Sequence, residues 1–162
     1  MPAAFLGLGS NLGGREESLA RALALLEGGG FRTSRTSALY ETAPVGGPPQ
    51  GDFLNQVVAG EWSDTPERLL EACLAAERAL GRVRGERFGP RTVDVDVLLF
   101  GDLVRDAPPP VVPHPRLHER RFVLVPLVEI APEVRHPRLA ASARELLARC
   151  PDSSRVARWE RS

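Results

Sequence analysis

The chain has 162 residues, no net formal charge and 43% apolar residues. This size and composition are those of one globular domain, residues 1–162, and exclude a disordered or fibrous protein. A net charge of zero provides no whole-surface field for nucleic acid, so charge-based recognition must be local. Two cysteines far apart favour reduced thiols, and no segment has the pattern of a signal peptide or a membrane span. We therefore expect a cytoplasmic protein without nucleic-acid or membrane partners.

Hydrophobic periodicity, breakers and helix caps predict strands and helices that alternate along the chain. Strands are predicted over Ala3–Gly9, Phe31–Thr42, Phe53–Trp62 and Val93–Phe100, with a small hairpin arm over Asp102–Asp106. Helices are predicted over Arg15–Glu27, from Pro66 (capped by Asp64 or Thr65) to Gly81, over Arg121–Ile130 and over Ser142–Cys150. Loops rich in Gly, Pro or Arg cover Ala43–Asp52 and Arg82–Thr92. This order indicates an α+β sandwich, with helices packed on one mixed or antiparallel sheet.

Two carboxylates interrupt the apolar strand that follows the arginine-rich loop. Asp94 and Asp96 share one face, roughly 6.5–7 Å apart, while the neighbouring valines anchor the other face. Carboxylates in this arrangement can converge on Mg²⁺, which takes one or two of them together with phosphate oxygens. A solvated strand face explains the same spacing equally well.

The arginine-rich loop adds cations beside these carboxylates. Arginine binds phosphate bidentately, and the loop glycines would let it close over a substrate. Together with the carboxylates, it favours a phosphoryl-transfer site, although a solvated charge run countered by Glu77 and Glu86 is the alternative. Five arginines fall within 14 residues: Arg78, Arg82, Arg84, Arg87 and Arg91.

An aromatic ring and an amide share one face of the third predicted strand. Phe53 and Asn55 together suit a flat heterocycle with hydrogen-bonding edges, although a core role for Phe53 is also open. A second aromatic, Phe122, follows the polar segment that contains His114. We expect His118 and His136 to be surface residues.

The glycine-rich turn at Gly7–Gly13 has two interpretations. It offers backbone amides to an anion at a helix start, or it is a tight structural connection.

Four segments in this order resemble the 6-hydroxymethyl-7,8-dihydropterin pyrophosphokinases, folate-pathway enzymes that transfer the terminal diphosphate of ATP to a pterin alcohol. The resemblance implies a monomeric, ferredoxin-like α+β sandwich that uses two Mg²⁺ ions and takes ATP and hydroxymethyldihydropterin as substrates. The segments are LGSNLG within 6–13, YETAPVGGPPQGDFLNQVV at 40–58, GRVRGERFGPRTVDVDVLLF at 81–100 and VPHPRLHERRFVLVPLVEIAP at 112–132.

The resemblance also implies roles for individual residues. Asp94 and Asp96 would hold the two metal ions and would act in catalysis with Arg82 and Arg91. ATP would be bound by Glu77, Arg82, Arg84, Arg91, His114 and Arg120. The pterin would stack between Phe53 and Phe122. Its edge would be bound by Asn55 and by backbone groups of Thr42, Ala43, Pro44 and Val45.

The chain departs from the family pattern at four positions. Phe88 stands where the family often has Trp, and Phe53 stands where it often has Tyr. Pro115 replaces an often aromatic residue, and Pro109 stands where an Arg can help to bind ATP. Phe88 bears on loop closure, Phe53 keeps the ring and loses the hydroxyl, and the two prolines bear on the nucleotide contacts.

Two other functions compete with this interpretation. Gly9-Ser10 and Asp94-Val95-Asp96 echo the G-S…D-x-D signature of nucleotidyltransferases, whose parts normally lie about a dozen residues apart, whereas some 84 positions separate them here. The second competing function is that of a non-catalytic pterin- or nucleotide-binding module. Release of AMP, of pyrophosphate or of neither distinguishes the three.

Overall fold

The computed structural model describes residues 2–43, 51–81 and 92–160. The elements, in chain order, are β1 Ala3–Ser10, α1 Arg15–Gly28, β2 Arg32–Thr36, β3 Tyr40–Thr42, β4 Phe53–Glu61, α2 Pro66–Ala79, β5 Asp94–Phe100, a short 3-10 helix Leu117–Glu119, α3 Arg121–Ile130, β6 Arg135–His136, β7 Ala141–Ser142, α4 Ala143–Arg149 and β8 Val156–Arg158. The four predicted helices and three of the four predicted strands are confirmed, each boundary within two residues.

Within the described ranges, six strands form the central sheet in the order β5-β1-β4-β3-β8, with β2 also paired to β4. Every pairing in this sheet is antiparallel. The chain order β1-α1-β2/β3-β4-α2-β5 is the βαββαβ pattern of ferredoxin-like folds. The predicted α+β sandwich is confirmed, and its sheet is antiparallel rather than mixed within the described strands.

Helices cover both faces of this sheet, so the described residues form two hydrophobic cores. On one face, Leu6 and Leu8 of β1 pack with buried residues of α1 and α2. On the other face, Phe5 packs with buried residues of α3 and α4. Successive residues of a strand point to opposite faces, so the sequence of β1 supplies both cores.

Side-chain caps start two of the helices. The Thr65 hydroxyl accepts a hydrogen bond from the Arg68 N–H at 3.2 Å, and Pro66 occupies the first turn of α2. Of the two caps that the sequence left open, the structure uses Thr65. Ser142 and Glu145 form a reciprocal capping box at α4. Each cap satisfies backbone donors that have no partner within the helix.

The single strand predicted over 31–42 is wrong, because the structure divides it at Ser37. The Ser37 hydroxyl accepts the Val57 N–H at 3.0 Å, which replaces a backbone ladder bond. The register then slips by one residue, since Thr36 lies opposite Val58 and Tyr40 lies opposite Asn55. The extra residue separates β2 from β3.

Two smaller predictions are also corrected. The predicted hairpin arm over Asp102–Asp106 forms no strand. Instead, Arg105 and Val112 exchange two backbone hydrogen bonds. His136 is 5% exposed rather than on the surface, because its Nδ1 accepts the N–H groups of Arg138 and Leu139. In the described ranges, no helix is long and apolar enough to cross a membrane.

Gly60 of β4 marks a close approach that tolerates no side chain. A Cβ at this position would lie 2.5 Å from the Arg32 carbonyl oxygen and 2.6 Å from the Phe31 ring. We expect Gly60→Ala to lower the free energy of unfolding by about 3 kcal/mol or more, because backbone and a buried ring must move. Gly28→Ala is the matched control, since no atom lies within 4 Å of its Cβ position. Urea denaturation of both variants checks this, and equal stabilities would contradict it.

Candidate active site

Two glycines of β1 create the floor of a cleft. Gly7 lies opposite Asp96 of β5 and Val57 of β4, while Gly9 lies between Asp94 and Asn55. These residues share one sheet face, so Asp94, Gly9 and Asn55 form a row across three strands. Because a glycine has no side chain, the row leaves an open space above β1. The sequence predicts an anion site or a tight connection at these glycines, whereas Gly7 and Gly9 lie inside β1.

The space is a cavity of about 280 Å³ between the sheet, the start of α3 and the segment before it. Such a size approaches that of small-molecule pockets. Its walls are charged near β5 and aromatic or amide-bearing near β4. The lining residues are Gly7, Leu8, Gly9, Thr42, Ala43, Phe53, Asn55, Gln56, Val57, Asp94, Asp96, Leu98, His114, Arg120, Phe122 and Val123.

The aspartates are half-buried on the cleft face, while Val93, Val95 and Val97 are buried on the other. A bulge follows them, because Leu6 pairs with Val97 and Phe5 pairs with Leu99, which leaves one residue of β5 without a counterpart. Bulges change the direction of a strand and are frequent beside active sites. Here the bulge comes directly after the carboxylate pair, where β5 enters the second core.

Glu77 supports the carboxylate strand from below. It is buried on α2, and its Oε2 accepts the Val95 N–H at 2.9 Å. This backbone N–H lies between the two aspartates on an edge strand, where such groups otherwise face solvent. Glu77 is not among the residues that line the cavity, and its nucleotide contact stays a prediction.

His114 enters the cavity as a neutral hydrogen-bond donor. The imidazole Nδ1 accepts the backbone N–H of Arg116 at 3.1 Å, and the backbone N–H of His114 donates to the Leu98 carbonyl. Burial, and then the charges of Arg120 and Arg116, lower the pKa of His114 to about 4. Since Nδ1 accepts, the neutral ring carries its proton on Nε2.

This lowered pKa predicts an acid-labile contribution to stability. The unfolded imidazole binds a proton near pH 6.5 and the folded one only near pH 4, so stability is fully present above pH 6.5 and lost between these values. We expect the loss to reach about 3 kcal/mol. His114→Gln should flatten this acid slope in denaturation curves recorded from pH 7.5 to 4.5. Parallel slopes for variant and wild type would contradict the assignment.

Arg120 and Phe122 connect the two ends of the cleft. The Arg120 guanidinium lies 5.6 Å from the centre of the Phe122 ring, within the range of a cation–π contact. Burial lowers the pKa of Arg120, and the charges of Asp96 and Asp94 oppose this. The guanidinium therefore lines the same cavity as the carboxylates and contacts its aromatic wall.

Phe53, Asn55 and Thr42 form the amide-bearing end. Asn55 is buried, and its Nδ2 donates to the Thr42 Oγ1 at 2.6 Å. Phe53 is partly exposed in the cavity rather than a fully buried core residue. A planar ligand can therefore meet an aromatic face and an amide within one space.

The structure brings most predicted site residues into this one cavity. Those that it does not describe are Pro44, Val45, Arg82, Arg84, Arg87, Phe88 and Arg91, so predictions about them lie outside the described residues. Of the other departures, Pro115 is exposed, and the Pro109 carbonyl accepts a hydrogen bond from Arg105 at 3.2 Å.

The donor set fits a hard divalent cation. Across the described part of the chain, no group of three or more His, Cys, Asp or Glu side chains comes together as a metal site. A carboxylate pair is nevertheless what Mg²⁺ typically takes from a protein when substrate phosphates complete its shell. Asp94 and Asp96, half-buried at the charged end of the cleft, supply that pair.

Fold and cleft together define a class: a ferredoxin-like α+β domain whose small-molecule cleft has a charged end and an aromatic end. The family model described as 7,8-dihydro-6-hydroxymethylpterin-pyrophosphokinase (HPPK) matches residues 5–132. The 2-amino-4-hydroxy-6-hydroxymethyldihydropteridine pyrophosphokinase of Bacillus subtilis is 46% identical over 132 residues, 81% of this chain and 79% of its own. The enzyme of that name from Methylorubrum extorquens is 47% identical over 135 residues, 83% of this chain and 85% of its own. The chain belongs to the HPPK family.

Solved structures agree on the fold. A crystal structure of Plasmodium falciparum HPPK-DHPS superposes with a TM-score of 0.73 at 14% identity, over 91% of this chain and 45% of that one. An HPPK-DHPS solved in complex with substrates gives 0.69 at 12% identity, over 91% of this chain and 43% of that one. The present chain thus spans less than half the length of these solved chains.

Proposed function

We propose that this protein transfers the diphosphate of ATP to 6-hydroxymethyl-7,8-dihydropterin in folate biosynthesis, with AMP as the second product. The observation that carries the proposal is the row Asp94–Gly9–Asn55 across the cleft floor. Neighbouring strands lie about 4.8 Å apart, so the strands that carry the carboxylate and the amide lie about 10 Å apart, with a residue that has no side chain between them. That separation suits a phosphate chain at one end and a heterocycle at the other.

The amide-bearing end would hold the pterin. Asn55 offers hydrogen bonds to the edge of a heterocycle, and the rings of Phe53 and Phe122 offer apolar faces to its plane. We further propose, from the sequence, that Ala43 and its successors Pro44 and Val45 contact the same ring. These contacts would orient the hydroxymethyl group towards the charged end, and orientation of this kind lowers the barrier of a bimolecular step.

The charged end would hold the triphosphate. Asp94 and Asp96 would hold Mg²⁺, which when bound offsets phosphate charge and lowers the pKa of the attacking hydroxyl. His114 would donate its Nε2–H to a phosphate oxygen, and Arg120 would place its positive charge on the transferring group. From the sequence, Arg82, Arg84 and Arg91 would add further cations, and Glu77 a nucleotide contact.

The proposed reaction is an in-line substitution at the β-phosphorus. The hydroxymethyl oxygen forms a bond to this phosphorus and loses its proton to solvent, while the bond from the bridging oxygen to the β-phosphorus breaks and AMP leaves. Negative charge grows on the phosphate oxygens, where Arg120 and the other cations proposed for this end would stabilise it. We also propose two Mg²⁺ ions, a cytoplasmic location, a monomer and a single domain over 1–162.

The decisive experiment is incubation of the purified protein with ATP, Mg²⁺ and 6-hydroxymethyl-7,8-dihydropterin, with products read by ³¹P NMR. We expect AMP and pterin diphosphate in equal amounts, and no reaction with EDTA. Free pyrophosphate would instead indicate a nucleotidyltransferase. Binding of pterin without AMP formation would indicate a non-catalytic module.

A further inference from the structure

The side chain of Thr42 contacts Asn55. The pterin contacts expected of the Thr42 backbone do not need this side-chain contact. The Asn55 Nδ2 donates to the Thr42 Oγ1 at 2.6 Å, and the two residues are 7% and 4% exposed. A hydrogen bond between two buried side chains is costly to break, since water cannot replace the lost partner. The Asn55 amide is therefore held at a defined angle within the cleft.

The support under Thr42 is rigid. β3 is paired on both sides, with Thr42 opposite Phe53 of β4 and opposite Val156 of β8. Thr42 is also β-branched, so its rotamer is restricted on a strand. A substitution that keeps this shape changes the hydroxyl alone and leaves the backbone in place.

Gly9 defines the other side of the amide. A Cβ at Gly9 would lie 2.9 Å from the Asn55 Oδ1, so this oxygen lies over the glycine on the cavity floor. With one Nδ2 hydrogen committed to Thr42, Asn55 keeps one N–H and its carbonyl oxygen for a ligand. That donor and acceptor side by side match a heterocycle edge that presents an acceptor beside an N–H.

We infer that Thr42 is a positioning residue. Its hydroxyl fixes the Asn55 amide, so that the cleft selects nitrogen heterocycles whose edge presents a hydrogen-bond acceptor beside a donor. This inference rests on the proposed function for the identity of the ring. Thr42 acts through Asn55 on binding and stays remote from the phosphorus. Its removal should therefore weaken pterin binding much more than it slows the chemical step.

Thr42→Val tests this, because valine keeps the shape and removes the acceptor. We expect the KM and the Kd for 6-hydroxymethyl-7,8-dihydropterin to rise about tenfold to a hundredfold. The Kd is measured by fluorescence titration in the presence of a non-hydrolysable MgATP analogue. The kcat should stay within about threefold, the KM for ATP should not change, and Thr42→Ser should restore both pterin constants. Thr33→Val is the matched control: it lies on β2, and its buried Oγ1 has no hydrogen-bond partner among the described residues.

The outcomes separate the inference from the function. Wild-type pterin constants in Thr42→Val, or failure of Thr42→Ser to restore them, would overturn the inference while AMP formation by the wild type still supports the function. Parallel losses of ATP and pterin binding in Thr42→Val indicate a structural role and also overturn it. If the wild-type protein binds pterin in the titration but forms no AMP, the proposed function is wrong, and the titration still tests the role of Thr42. A wild-type protein that does not bind pterin at all overturns both.

Discussion

Asp94→Asn and Asp96→Asn should each lower the rate of AMP formation by at least about a thousandfold. The expected loss corresponds to the several kcal/mol that a bound divalent cation contributes to charge stabilisation in a transition state. Asparagine keeps the size of the side chain but removes the charge that would hold Mg²⁺. Both positions are half-buried on the cleft face while the intervening Val95 anchors the strand, so the free energy of unfolding should change by less than about 1 kcal/mol.

Asp102→Asn is the control for this pair. Asp102 is exposed in the turn after β5 and does not line the cavity, so the same chemical change should leave turnover at the wild-type rate. Rates measured across a Mg²⁺ titration, with circular dichroism to follow the fold, check the prediction. Turnover within tenfold of wild type in either cleft variant would refute the metal assignment.

Arg120→Ala should lower kcat/KM by about a hundredfold to a thousandfold. Arg120 stands in the cavity between the carboxylates and the Phe122 ring, where removal of one donor to a developing charge typically has an effect of this size. The variant loses the cation and the packing on Phe122 together. Arg120→Lys should recover only part of the rate, because lysine keeps the charge without the planar, bidentate guanidinium.

Steady-state kinetics with each substrate varied in turn separates the two contributions of Arg120. Loss of phosphate stabilisation lowers kcat, whereas loss of support for Phe122 raises the KM for the pterin. Arg144→Ala is the matched control, since Arg144 is an exposed residue of α4 that pairs with Glu133. A kcat/KM within threefold of wild type in Arg120→Ala would contradict a role at the phosphate end.

Much of the site was predictable because it depends on local periodicity. Alternating Val and Asp residues determine which side chains share a face of β5, and the structure confirms that the valines are buried and that both aspartates face the cleft. The same rule placed Phe53 and Asn55 on one face. Strand alternation is a property of the backbone, and tertiary packing did not alter it at these positions.

Other features escaped prediction because they depend on contacts between distant residues. The break between β2 and β3 arises from the Ser37 hydroxyl on Val57, and the burial of His136 arises from two backbone donors of the following turn. The sequence predicts that Glu77 is part of a solvated charge run or contacts the nucleotide. In the structure, its carboxylate accepts a hydrogen bond from the Val95 N–H of β5. No local pattern reports such partners.

The amino-acid sequence by itself determined the four helices, three strands of the central sheet, the pairing of carboxylates on one face and the family motifs. The tertiary structure alone decided that the carboxylates, His114, Arg120 and the amide of Asn55 surround one cavity. The reason is physical: antiparallel register set Gly9 between Asp94 and Asn55, and register depends on pairing among three strands that are distant in sequence.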